Sequence, residues 1–207
     1  MRDQKVGEWL EKLASKASAP GGGAAAALNA ATGAALVSMV CNLTIGKPKY
    51  VEHELTMTDV LSKANELRNE ALVLAEADAE AFSAVMAAYG LPKDSDEDKA
   101  QRTEAIQSAL VRAAEVPLRI AGLAAEVIAL SGRILDGANV NVLSDVAVAA
   151  DSARSALRSA AINVEINLYS MKDEDLREEL AGKLADHLGS LDTADRIVGS
   201  VNERITS

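Results

Sequence analysis

A carboxylate set in an apolar row is the chain's most conspicuous chemical group. Between residues 51 and 89 apolar side chains recur in steps of three or four: Val60, Ala64, Leu67, Ala71 and Leu74, then Asp78, then Phe82, Val85 and Tyr89. That spacing marks one face of a helix, so Asp78 points inward. A leucine in its place would stabilise the fold by ~1.5–3 kcal/mol, whereas an unpaired buried carboxylate is costly or takes up a proton. Such a residue performs chemistry, reaches water at the edge of the stripe, or pairs with a lysine.

Other groups invite the same question. Lys47 sits between Gly46 and Pro48 in a stiff turn, where it can cap the preceding helix or present an ammonium to a ligand. Tyr50, three residues on, is either an interfacial tyrosine or a phenol able to give a proton. Asn141, Ser144 and Asp145 stand at the start of a helix; capping explains Asn or Ser there, and Asp145 suits the first turn. Pro20-Gly21-Gly22-Gly23 leads into a helix N-terminus whose N–H groups could meet an anion or a ring carbonyl. The loop has neither the dinucleotide fingerprint nor a following Lys-Ser/Thr, so it is no nucleotide-phosphate cradle.

The elements that must hold these groups are helical. Val6, Trp9, Leu10 and Leu13 repeat at helical spacing within 3–15, and a second helix is expected over 24–43. The latter lies in an uncharged window, 17–46, long enough to span a bilayer. Its apolarity comes mostly from alanine, and Asn29, Thr32, Ser38 and Asn42 would need partners in lipid, so a central bundle helix is the better reading. A long helix over 51–89 closes at Gly90-Leu91-Pro92. Ser95 and Asp98 have the form of a capping box for the next helix, in which Pro117 predicts a kink or break. Residues 139–142 and 162–168 alternate with period two, yet two isolated strands would find no sheet, so one helix is expected from near Ser144. A final amphipathic helix carries Leu176, Leu180, Leu184, Leu188, Leu191, Ile197 or Val198, Val201 and Ile205. The expected fold is all-α: an antiparallel bundle of five or six long helices in a single domain, 1–207.

Composition narrows the function. The 207 residues include 40 alanines and only 2% aromatic residues, a core that requires closely approaching backbones. A net charge of −10 without a local basic patch argues against nucleic-acid binding. One cysteine, Cys41, excludes an internal disulfide, and two histidines disfavour a zinc site or a Ser-His-Asp triad. Residues 1–16 are charged and amphipathic, unlike a leader, so a soluble cytoplasmic protein is expected.

Taken in order, these segments resemble one family across nearly the whole chain. They are Ser18-Ala19-Pro20-Gly21-Gly22-Gly23-Ala24-Ala25-Ala26, the stretch 39–47, Asp78-Ala79-Glu80-Ala81-Phe82, Leu91-Pro92-Lys93, Asn139-Val140-Asn141, Ser144-Asp145 and Asn163-Val164. The chain is similar to the cyclodeaminase/cyclohydrolase family of folate enzymes, and its length and 39–50 segment look most like the stand-alone methenyltetrahydrofolate cyclohydrolases. It departs from the pattern at Ala24, where many relatives carry Ser, and at Pro48, where a second basic residue is expected. The resemblance implies a helical homodimer acting on a folate one-carbon substrate, with no metal or prosthetic group. It implies catalytic roles for Lys47, Asp78, Asp145 and Tyr50, with a carboxylate activating water and Lys47 serving N5 of the substrate. Substrate contacts would come from Pro20, Gly21, Gly22, Gly23, Asn139, Asn141, Ser144 and Asn163. The expected reaction hydrolyses 5,10-methenyltetrahydrofolate to 10-formyltetrahydrofolate. Ammonia-releasing formimidoyltetrahydrofolate cyclodeaminase is the nearer alternative, and a non-catalytic helical interaction module the more distant one.

Overall fold

The computed structural model describes residues 4–207; residues 1–3, which the expected helix over 3–15 and the reading of 1–16 include, lie outside them. The helices are α1 (Val6–Leu13), α2 (Gly22–Asn42), α3 (Glu54–Tyr89), α4 (Asp96–Ile134), α5 (Leu143–Tyr169), α6 (Glu174–Leu188) and α7 (Leu191–Thr206). Short 3-10 turns at Pro48–His53 and Val140–Val142 lead into α3 and α5. No strand occurs among the described residues. The period-two stretches are thus a turn and part of α5, as the lack of a sheet required.

Helix α2 lies between α3 and α5, α4 packs on α3 and α5, and α6 and α7 pack on α4 and α5. Of the helices described, α2 alone is long and apolar enough to cross a membrane, and most of it is buried against its neighbours. Its buried face is alanine, with Ala26, Ala27, Ala30 and Ala34 fully enclosed and Ala149, Ala150, Ala153 and Ala156 of α5 equally so. These small side chains let the two backbones approach. A Cβ on Gly33 would stand 2.9 Å from the Ala149 carbonyl oxygen and 3.3 Å from Val127 Cγ1. Cys41 belongs to the same interior; burial pushes its thiol up to about 11, so it stays protonated at neutral pH.

Local chemistry sets the helix limits. Ser95 Oγ accepts from Asp98 N–H and Asp98 Oδ2 accepts from Ser95 N–H, both at 3.0 Å, completing the expected capping box of α4. Two expectations need correction. The final amphipathic segment is two helices, because Gly189-Ser190 ends α6 while Leu188 and Leu191 on either side still rest on the core. Pro117 does not break α4, which runs 39 residues through it. Proline has no N–H for the carbonyl four residues back, and here Asn167 of α5 donates its Nδ2 to the Ala113 oxygen at 2.8 Å instead.

Helix α3 has 36 residues and α2 has 21, so at ~1.5 Å per residue α3 outruns α2 by roughly 20 Å. Where the two run together, Val60, Ala64, Leu67, Ala71 and Leu74 are buried. Beyond Asp78 the stripe loses its α2 partner, so Phe82 and Tyr89 are exposed and border a cavity rather than fill the core.

Gly33→Val should destabilise the fold by about 1–3 kcal/mol through overpacking against the α5 backbone. Its melting midpoint should fall by roughly 2–4 °C per kcal/mol. An unchanged midpoint would show that α2 and α5 do not meet at Gly33.

Candidate active site at the two ends of helix α2

The N-terminus of α2 begins with three glycines and carries no acidic residue in its first turn and no side-chain cap of its own. One of its free N–H groups is served from another helix: Ala24 N–H bonds to the Asp78 carboxylate of α3. The approach depends on Gly23, since a Cβ there would overlap the Asp78 carboxylate. Burial pushes the Asp78 carboxyl above the usual carboxylate range, and the Ala24 bond pulls it partly back. Asp78 is half-buried at the wall of a cavity of about 320 Å³. Gly21, Gly22 and Gly23 line one side, Phe82 and Tyr89 another, and Asn163, Ile166 and Asn167 of α5 a third. Pro20 stands in the turn before these glycines.

The C-terminal end of α2 carries a second cluster held by a knot of hydrogen bonds. Thr44 Oγ1 donates to Val40 O at 2.7 Å and accepts from Asn139 N–H at 3.1 Å. Asn139 Nδ2 donates to Leu43 O at 2.9 Å, while its Oδ1 accepts from Asn141 N–H at 3.1 Å and from the Tyr50 hydroxyl at 3.4 Å. That hydroxyl in turn accepts from Val140 N–H at 3.1 Å. The segments 43–50 and 139–145 are therefore tied together, which places Lys47, Tyr50, Asn141, Ser144 and Asp145 at one end of the molecule. Lys47 is exposed, Asp145 is half-buried, and neither makes an ion pair among the described residues.

The site residues expected from sequence thus separate into two groups. Gly21, Gly22, Gly23, Asp78 and Asn163 line the cavity, with Pro20 in the turn beside it but not in its wall; Lys47, Tyr50, Asn139, Asn141, Ser144 and Asp145 occupy the turns at the opposite end. The 21 residues of α2 lie between them, about 30 Å of helix. Two of the expected residues sit in the hydrogen-bond knot. Asn139 is 3% exposed, with Nδ2 donating to Leu43 O and Oδ1 accepting from Asn141 N–H and the Tyr50 hydroxyl. The Tyr50 hydroxyl is engaged with the same loop, so its proton is already directed at Asn139. Sequence reasoning missed Asn167, Phe82 and Thr44 as parts of these clusters. Only Pro117 hinted at one of them, by freeing the carbonyl that Asn167 answers. No cluster of three or more His, Cys, Asp or Glu side chains suited to a metal ion occurs among the described residues.

The architecture is that of a known helical folate-enzyme fold. The solved structure of formiminotetrahydrofolate cyclodeaminase from Thermotoga maritima matches it with a TM-score of 0.88 at 28% identity, over 100% of this chain and 99% of that one. The family model for formiminotransferase-cyclodeaminase matches residues 5–186, and the chain belongs to that family. Methenyltetrahydrofolate cyclohydrolase of Methylorubrum extorquens is 47% identical, with 98% of this chain and 94% of that protein covered. Formimidoyltransferase-cyclodeaminase of Rattus norvegicus is 32% identical over 98% of this chain, which spans 38% of that longer protein.

The raised Asp78 carboxyl has a measurable consequence. The folded chain holds this proton more tightly than the unfolded chain, so the stability Asp78 contributes is present below the unfolded value. It is lost as pH rises from about 4, the ordinary carboxylate range, through the raised value. Asp78→Asn keeps an oxygen for Ala24 N–H and removes the charge. Its urea midpoint should therefore gain on the wild type between about pH 4 and pH 7; a constant difference across that range would show that Asp78 is not desolvated.

Proposed function

We propose that this protein hydrolyses 5,10-methenyltetrahydrofolate to 10-formyltetrahydrofolate, and that two copies of the chain complete each active site. The likeness to a methenyltetrahydrofolate cyclohydrolase along almost the full length of both chains carries the reaction. In that reaction the substrate's amidinium carbon is already electrophilic. Water adds to it, one water proton passes to a carboxylate, and the bond from that carbon to N5 breaks as N5 takes a proton, leaving the formyl group on N10. The protein must position water and move protons. Lys47 is the cation suited to protonating N5 or steadying the tetrahedral intermediate, and Asp78 or Asp145 receives the proton of the attacking water.

One substrate carbon cannot meet Lys47 and Asp78 of the same chain across about 30 Å of helix. The exposed surface supports a solution. Exposed apolar side chains gather at both ends: Ile162, Ile166 and Tyr169 of α5 near the cavity, and Leu43, Val51 and Leu55 near the Lys47 turn. Tyr169 and Leu55 are each 88% exposed. Between these ends α2 and α5 share an open face, joined at its middle by Asn29 Nδ2 to Ser155 Oγ at 3.5 Å. A two-fold axis across the middle of α2 sets the cavity end of one protomer against the Lys47 end of its partner, twice over, and covers both apolar patches.

Purified protein should speed the loss of the amidine chromophore of methenyltetrahydrofolate and release no ammonia from formiminotetrahydrofolate; the reverse pattern makes it a cyclodeaminase. Lys47→Met should lower turnover at least about tenfold while the helical circular-dichroism spectrum stays unchanged. Near-normal turnover removes Lys47 from the chemistry. Mixing unfolded Lys47→Met and Asp78→Asn chains and refolding them should restore about a quarter of wild-type activity, because each mixed dimer has one intact site. Absence of recovery places the whole site within one protomer.

A further inference from the structure

The cavity at Asp78 differs from a general polar pocket in which hydrogen-bonding atoms it leaves free. Asn167 uses its Nδ2 twice, on Ala113 O at 2.8 Å and on Asn163 O at 2.7 Å. Both acceptors are backbone carbonyls, so the amide cannot turn over, and its Oδ1 stays unclaimed. Asn163 is oriented the same way, with Nδ2 on Ser159 O at 2.8 Å. The Pro117 substitution for a helix N–H is what recruits Asn167 to Ala113 in the first place. Added to the Asp78 carboxylate, these oxygens give the wall a row of acceptors on two facing helices. The unpartnered N–H groups of Gly22 and Gly23, at the start of α2, are donors at its edge. Phe82 and Ile166 supply apolar walls.

We infer that this cavity seats the 2-amino-pyrimidinone edge of the substrate's pterin ring, with Asp78, Asn163 and Asn167 reading its N–H groups. The inference rests on the cyclohydrolase reading above and adds which end of the substrate each half-site takes. A reduced pterin presents adjacent N3–H and 2-amino donors, a pair that one carboxylate can receive with both oxygens. Another amino hydrogen and N8–H remain for the asparagine oxygens, and the C4 carbonyl faces the glycine N–H groups. The ring faces lie against Phe82 and Ile166, an apolar slot with a few fixed polar groups. The glutamate end carries carboxylates and would be repelled by this wall. Seating the ring here directs the one-carbon bridge outward, to the mouth that the partner's Lys47 turn closes. Asp78 is then a specificity-determining residue, and Asp145, which the hydrogen-bond knot keeps with Lys47, is the carboxylate left to take the proton from water.

The test compares ligands on the wild-type protein, which avoids dependence on any variant's folding. Tetrahydrofolate, its 2-desamino-2-methyl analogue and p-aminobenzoylglutamate are titrated by calorimetry, alongside turnover of methenyltetrahydrofolate. The 2-methyl analogue should bind at least about tenfold more weakly than tetrahydrofolate, because its loss leaves a desolvated acceptor unpaired. The pterin-free fragment should not compete for the cavity. In Asp78→Asn the gap between the first two ligands should shrink to less than about threefold. Equal affinity of the wild type for tetrahydrofolate and the 2-methyl analogue, or displacement of tetrahydrofolate by p-aminobenzoylglutamate, overturns the seat even where turnover is normal. Absence of turnover together with discrimination between the ligands overturns the cyclohydrolase reading and leaves the seat standing.

Discussion

The contact between the Asp78 carboxylate and the first turn of α2 joins the fold to the site. A helix N-terminus leaves N–H groups without intrahelical partners, and α2 begins with glycines that offer no side chain to serve them. The carboxylate arrives instead from α3, the one place in that helix where its apolar stripe admits a charge. Gly23 has no Cβ, and only that absence allows the approach. The same constraint leaves Asp78 partly desolvated at the wall of the cavity. A cap supplied from within the helix, such as Ser or Asp in the glycine turn, would have satisfied α2 equally well and left the cavity wall without its carboxylate.

Why a cavity exists at all follows from helix lengths. Four long helices of equal reach and alanine-lined seams would close on each other. Here α3 and α4 continue past the start of α2, and the side chains on their free ends have no fourth partner. Phe82 and Tyr89 therefore keep the helical phase of buried Leu67 and Leu74 while facing open space. The turn at residues 18–21 crosses this gap without filling it. The shape of the site is thus a consequence of where α2 begins, which the glycines and the preceding Pro20 decide.

Much of this was legible in the residues alone. Inward-pointing Asp78 followed from steps of three and four, and the Ser95–Asp98 box from its spacing, because both are properties of a single helix. What was hidden depends on partners distant in sequence. Pro117 announces a vacant carbonyl at Ala113 but does not say that Asn167, 50 residues later, will meet it. Tyr50 as a phenol proton donor and Asn139 as a substrate contact are readings of residue type; their mutual bonds within the turn appear only in the fold. The break at Gly189-Ser190 was masked by an apolar stripe that continues in phase across it. Likewise, no pattern in a sequence measures the length of α2 as a separation between Asp78 and Lys47.

That separation carries the strongest implication for how the molecule works. Within one chain the acidic cavity and the lysine turn are rigid and remote, each tied to the opposite end of a tightly packed alanine helix. Along the way α2 packs closely on α5, where even an added Cβ at Gly33 would stand 2.9 Å from the Ala149 carbonyl oxygen. The proposed two-fold dimer would meet the requirement with no motion at all. In that proposed arrangement the direction of α2 is reversed, so the two ends that one chain holds apart would become neighbours across the axis, and the apolar residues exposed at both ends would be covered by the same operation. Under this proposal the site would be complete only where two folded copies meet.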